Sequence, residues 1–306
     1  MIIRERVSWF RMLFIMRGSI LPKIGFQLLG LFAFSALVTY YKGIVFGLNL
    51  SMNPFAFTLI GIALAIFLGF CNTAAYDRFW EGRKLWGALV IDTRSIIRQV
   101  KAYVKEGTAA EDRLSYFTKL TIAYTYALKH QLREEEAGTD LQRLLPEQLL
   151  HVITPIKFKP VFLLDEMAAF LQRAQEQGRI DVYTKMQIDQ NLNNLSTIVG
   201  GCERIHNTPI PFPYYLLLHR TIYIYSLLLP FGLLGTLGWL TPFITTFISY
   251  TFIGLDAVID EIKEPFGTEP NDLALNALSE TVEFSLCEMA GLPLPPVRKQ
   301  EAIKID

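Results

Sequence analysis

The sequence predicts an all-α membrane protein, with four transmembrane helices plus a polar helical domain. Three observations predict this class. Charged side chains are excluded from three long stretches, 24–41, 43–76 and 221–255. The polar middle of the chain spaces its apolar residues at helical intervals. No run of any length alternates with the period of a strand. The chain has 306 residues, of which 51% are hydrophobic and 19% charged. Soluble chains carry about 25% charged residues, so the deficit belongs to the uncharged stretches.

The N-terminal segment, 1–23, suits the membrane–water interface. Trp9, Phe10, Met12, Leu13, Phe14 and Ile15 are interspersed with Arg4, Arg6, Arg11 and Arg17. Aromatic rings favour the headgroup level, and arginine reaches water or anionic lipid. The apolar run 12–20 is short, contains Arg17 and lacks a small-residue cleavage site, so it does not read as a signal peptide.

The segment 24–76 holds the first two spans. A helix needs about 20 apolar residues to cross a hydrocarbon core of about 30 Å. Residues 24–41 make one span. Gly47, Asn49, Ser51, Asn53 and Pro54 make a turn, and 55–76 a second span. In the segment 207–262 the uncharged run is too long for one crossing. Gly238, Trp239, Leu240, Thr241 and Pro242 break it into 212–237 and 242–262, with Pro230 predicted to kink the first of these. No Asp, Glu, Lys or Arg is expected within any span, whereas proton-coupled carriers and voltage sensors display such groups.

Between the two pairs lies the helical domain, 77–206. Leu114, Phe117, Thr121, Tyr124 and Leu128 share one helix face, and Ile188, Leu192, Leu195 and Val199 another. Gly107, Gly138, Pro146, Pro155, Pro160 and Gly178 mark the joins. A C-terminal segment, 263–306, completes the chain. Basic residues flank the first span on its N-terminal side and the second on its C-terminal side, whereas the links within each pair offer only Lys42. By the positive-inside rule both termini and the helical domain are cytosolic.

Lys and Arg number 29, as do Asp and Glu, so the chain has no net charge with which to neutralise phosphates, and a nucleic-acid partner is not expected. Cys71, Cys202 and Cys287 are too scattered for a disulfide framework. No metalloprotease, serine-hydrolase, Walker or dinucleotide motif occurs. Cys202, Glu203 and His206 share one helical turn, but two ligands do not close a zinc site. No metal, cofactor or catalytic residue is expected.

The second span carries two parallel stripes. Gly61, Ala65, Gly69 and Thr73 recur every four residues, and small residues at that spacing let another helix approach closely. One position on, Ile62, Ile66 and Phe70 form a bulky row. Such a row faces lipid, or core, or an axis between subunits, where it forms an apolar constriction.

Three motifs carry a resemblance. The exit of the second span reads Asn72-Thr-Ala-Ala-Tyr76-Asp77-Arg78-Phe-Trp80-Glu81-Gly-Arg83-Lys-Leu-Trp86-Gly87. Before the third span comes Asn207-Thr-Pro209-Ile-Pro211-Phe-Pro213-Tyr214, with His219-Arg220 beyond. After the fourth comes Asp260-Glu261-Ile-Lys-Glu264-Pro265-Phe266-Gly267, then Asn271-Asp272-Leu273. In this order around four spans, the sequence resembles the bestrophin family in its bacterial branch.

The resemblance implies a homopentameric channel around one fivefold axial pore in the bacterial inner membrane. It implies a pore neck at Ile62, Ile66 and Phe70, the same bulky row, and a cytosolic aperture at Ile180. Arg78, Trp80, Glu81, Arg83 and Trp86 then fix packing at the membrane boundary, beside the small stripe of Gly61, Ala65 and Gly69. The run of consecutive acids behind calcium gating in animal members is missing here: only Glu269 and Asp272 follow Gly267, and they read as a helix start capped by Asn271. Bacterial members imply monovalent cations, sodium or potassium. Chloride is the alternative, and a non-conducting scaffold or a membrane enzyme at Cys202, Glu203 and His206 the rivals from other classes.

Overall fold

The computed structural model describes residues 8–12, 15–16, 18–45, 48–49 and 52–296. Arg4, Arg6, Leu13, Phe14, Arg17, Gly47 and Ser51 lie outside the described residues. Among the described residues the chain is helical but for one two-residue hairpin. The helices are α1 (Trp9–Met12), α2 (Leu21–Tyr40), α3 (Pro54–Tyr103), α4 (Leu114–Leu132), α5 (Gly138–Leu144), α6 (Glu147–Ile153), α7 (Lys159–Glu176), α8 (Val182–Asn207), α9 (Phe212–Leu237), α10 (Thr241–Ile262) and α11 (Leu275–Ala290). Strands β1 (Ile44–Val45) and β2 (Leu48–Asn49) pair antiparallel in the turn between α2 and α3.

Local chemistry sets the helix ends. Pro54 opens α3, where a missing N–H costs nothing, and Asn53 Oδ1 accepts from Phe55 N at 2.9 Å. Asp181 caps α8 by accepting from Tyr183 N at 2.9 Å and Thr184 N at 3.0 Å. Gly291, at φ +69°, ends α11 in the left-handed conformation that a side chain would oppose.

The chain divides into two compact units. The first comprises Arg4–Phe79 and Pro209–Glu264. It holds the stretches long and apolar enough to cross a membrane: α2, the start of α3, and Phe212–Ile262. The last is a hairpin, not one rod: a tight turn at Gly238–Leu240, with Gly238 at φ +51°, separates α9 from α10, and the two helices pack on each other. That makes four crossings. α10 also packs on α2, and a shared core joins Ile24 and Leu31 of α2, Leu64 and Leu68 of α3, Ile222 and Leu229 of α9 and Ile253 of α10. Pro230 lies inside α9, which runs through it without a break. At Gly232 a Cβ would stand 2.3 Å from the Phe57 ring, so only glycine allows α9 this close to α3.

The expectation of spans without charged residues is corrected here. α10 continues to Ile262 and thus carries Asp256, Asp260 and Glu261, while α9 carries His219 and Arg220. The spanning helices are therefore not free of ionisable groups near their ends. His219 Nδ1 meets Asp256 Oδ2 at 2.7 Å, and Tyr215 Oη donates to Asp260 at 3.0 Å. Pairing explains how carboxylates persist there.

The second unit comprises Trp80–Thr208 and the chain from Pro265. Its centre is α4, packed against α7, α8, α11 and α5. Phe117, Thr121, Tyr124 and Leu128 are buried, as are Ile188, Leu192, Leu195 and Val199 of α8. Phe117 meets Phe170 of α7 with ring centroids 4.9 Å apart, and Tyr124 Oη donates to Leu195 O at 2.9 Å. The chain from Pro265 is not a separate piece: α11 packs against α4 within this unit. The Asn271 helix start is also corrected. Asp272 accepts from Glu269 N at 2.8 Å within a turn, and α11 begins only at Leu275.

Candidate pore-lining face

The first part of α3 has two opposed faces. Phe57, Leu64, Leu68 and Ala75 are buried in the membrane unit's core. At about 100° per residue, Ile62, Ile66 and Phe70 centre about half a turn away from that core. They are exposed accordingly, at 54%, 55% and 72%. The row spans about 12 Å along the axis, from a rise of about 1.5 Å per residue. Thr73 and Asp77 continue on the same face toward the helix's polar part, and both are exposed.

The small stripe divides. A Cβ at Gly61 would stand 3.0 Å from Tyr225 Oη of α9, so this glycine serves close packing within the chain. Ala65 is exposed, and a Cβ at Gly69 would meet nothing within 4 Å. Among the described residues, then, no helix covers the stripe at Ala65 and Gly69.

The aromatic–arginine motif splits into fasteners and free surface. Arg78 Nε donates to Lys263 O at 2.9 Å, tying α3 to the end of α10. Glu81 pairs with Arg204 of α8. Trp86 is fully buried, whereas Trp80 and Arg83 are exposed. A Cβ on Gly201 would stand 2.9 Å from the Leu85 side chain, which brings α8 hard against this part of α3.

Ile180 is buried in its own chain, at 6% exposure, just ahead of the Asp181 cap. The exposed apolar side chains of this turn are Val182 and Tyr183, the latter at 81%. Cys202, Glu203 and His206 do not converge. Burial pushes the Cys202 thiol up to about 12, Glu203 accepts from Gln131 at 2.6 Å, and His206 faces Glu134 at 3.4 Å. Among the described residues no three His, Cys, Asp or Glu side chains gather as a metal site.

This architecture has known counterparts. The sequence profile of the Bacterial/Fungal Bestrophin protein family matches residues 1–288. The chain is 41% identical over 295 residues to voltage-dependent anion channel-forming protein RSc3414 of Ralstonia nicotianae, covering 96% of this chain and 95% of that one. It is 38% identical over 289 residues to voltage-dependent anion channel-forming protein YneE of Escherichia coli K12, covering 94% of each. The crystal structure of a bacterial bestrophin homolog from Klebsiella pneumoniae superimposes with a TM-score of 0.81 at 38% identity, covering 88% of this chain and 99% of that one. With sequence and fold in agreement over nearly its whole length, the chain belongs to the bacterial and fungal bestrophin family.

Proposed function

We propose that this chain is one subunit of a homopentameric ion channel in a bacterial inner membrane, with both termini cytosolic, passing monovalent ions down their gradients. The observation that carries this reading is the row Ile62, Ile66 and Phe70, turned away from its own chain's core. Five copies around an axis stack it into three apolar rings, a neck about 12 Å long that gates by dewetting. The uncovered Ala65 and Gly69 leave room for the neighbouring subunit's helix.

Lipid alone also accepts an exposed apolar row. The pore reading is favoured by the polar end of the same face, where Asp77 is exposed and has no ion pair among the described residues. A ring of carboxylates at the mouth of an apolar neck attracts cations, so sodium or potassium is the proposed cargo. The anion reading is favoured by the names of the relatives, voltage-dependent anion channel-forming proteins. The second narrowing on the cytosolic side is proposed at the turn that carries Ile180, where the exposed Tyr183 presents the larger surface. Arg78, Glu81 and Trp86 hold the subunit's own helices together, and Trp80 is left for the neighbour.

The test is current through the purified protein in a planar bilayer under a NaCl gradient. A reversal potential near the sodium equilibrium value supports the cation channel. One near the chloride value keeps the channel and reverses the sign. Silence from both the folded wild type and Ile66→Ala sinks the channel and leaves the scaffold. Cross-linking in mild detergent is expected to give a ladder ending at five, and one ending at two overturns the ring.

A further inference from the structure

A cavity of about 910 Å³ opens in the second unit, between α4, α5 and α11. Its floor is a network of charges. Glu283 of α11 accepts from Tyr126 Oη at 2.7 Å and takes both ends of the Arg143 guanidinium, Nη2 at 2.8 Å. Asp140 of α5 receives His130 Nε2 at 2.8 Å, Lys129 Nζ at 3.4 Å and Arg143 Nε at 3.4 Å. The two inner carboxylates are thus fully engaged.

Lys129 and Arg94 are not. The Lys129 side chain is 7% exposed, yet among the described residues its ammonium has only the long contact to Asp140 and the Tyr126 ring, 4.9 Å from the centroid. An ammonium carries three donors, and a buried charge with donors unspent is costly. Burial accordingly holds Lys129 below its ordinary value, against the pull of Asp140. Arg94, also lining the cavity, spends only Nε, on Ser285 Oγ at 3.1 Å, and its two terminal nitrogens have no described partner. The wall beside them is apolar, with Phe284, Ala277 and Pro295. Glu280 and Glu288 also line the cavity; Glu280 is partnered, and Glu288 is exposed to water, which screens it.

We propose that this cavity binds a small organic anion, a carboxylate or phosphate on an apolar body, with Lys129 and Arg94 holding the anionic head and Phe284 and Pro295 the body. The proposal does not rest on the channel reading, and its test does not depend on current. A ligand here bridges α3, α4 and α11, so it stabilises the extramembrane unit in proportion to occupancy.

The experiment is thermal unfolding of the full-length protein in detergent, titrated with phenyl phosphate and with benzoate at constant ionic strength. Sodium chloride serves as the control. A saturable rise in Tm with either probe is expected. A response to phenyl phosphate alone assigns a phosphate ester, and one to benzoate alone a carboxylate. In Lys129→Met, and separately in the exposed Arg94→Gln, the midpoint is expected to move at least about tenfold higher, the loss of one charge-assisted contact. Two results overturn the proposal: no rise with either probe up to about 10 mM, the weak end of specific binding, or an unchanged midpoint in Arg94→Gln together with any Lys129→Met that folds.

Discussion

His219 Nδ1 of α9 lies 2.7 Å from Asp256 Oδ2 of α10, and this bond joins the two arms of the membrane hairpin near one end. The Asp256 side chain is 5% exposed, so its carboxylate depends on the imidazole. Removing His219 leaves a buried acid without its partner. His219→Ala is expected to cost on the order of 1–3 kcal/mol in detergent unfolding. His219→Phe with Asp256→Leu, which removes both polar groups, is expected to cost less than His219→Ala alone. Equal losses would show that the pair does not act as a unit.

The Phe57–Gly232 approach gives a second prediction. Gly232→Ala places a methyl where the Phe57 ring stands, 2.3 Å away. Overpacking of this kind costs about 1–3 kcal/mol. Phe57→Leu introduced alongside is expected to restore most of the loss in thermal unfolding, because the smaller side chain vacates the contested space.

Conduction gives the third. Ile66→Ala is expected to widen the neck and raise single-channel current without lowering Tm, since Ile66 contributes little to the subunit's own core. Asp77→Asn is expected to lower sodium-to-chloride selectivity in the same bilayer recording. Unchanged selectivity would remove Asp77 from the ion path.

Acid stability gives the fourth. Burial pushes the Asp140 carboxyl up, but His130, Lys129 and Arg143 pull it down further, to about 2. Its unfolded value is near 4, so the unfolded chain binds the proton first as pH falls. The stabilisation is whole above about pH 4 and disappears between about 4 and 2. Asp140→Asn is expected to cost about 1–2 kcal/mol at pH 7, allowing for partial exposure, and to flatten the loss of stability below pH 4. Urea unfolding across that range checks both.

The membrane topology was legible because charge exclusion is a direct record of the solvent around each helix. Residues 212–237 are the bounds of α9, and the row at Ile62, Ile66 and Phe70 was readable from its spacing. So was the continuation of the second span into the polar helical domain, though not how far it runs. The change from apolar to polar at Asp77 marks a change of surroundings, while the helix itself meets no proline, runs through Gly82 and Gly87 and continues to Tyr103. The uncharged stretch ending at residue 255 likewise hid Asp256 and Asp260, one turn further along the same helix. Ile180 and Tyr183 are three positions apart with opposite exposures, because the Asp181 cap turns the chain between them. The cluster of Tyr126, Asp140 and Glu283 joins residues up to 157 apart in sequence and has no local pattern to betray it.

The outward set of the Ile62–Ile66–Phe70 row separates two kinds of selection. Phe57, Leu64 and Leu68 answer to the folding of one chain, and a change there is felt by every copy at once. The row on the opposite side answers to nothing inside its own subunit. A library scored by Tm or expression is expected to find these three positions permissive, and the proposed neck predicts that the same library scored by ion flux finds them among the least permissive.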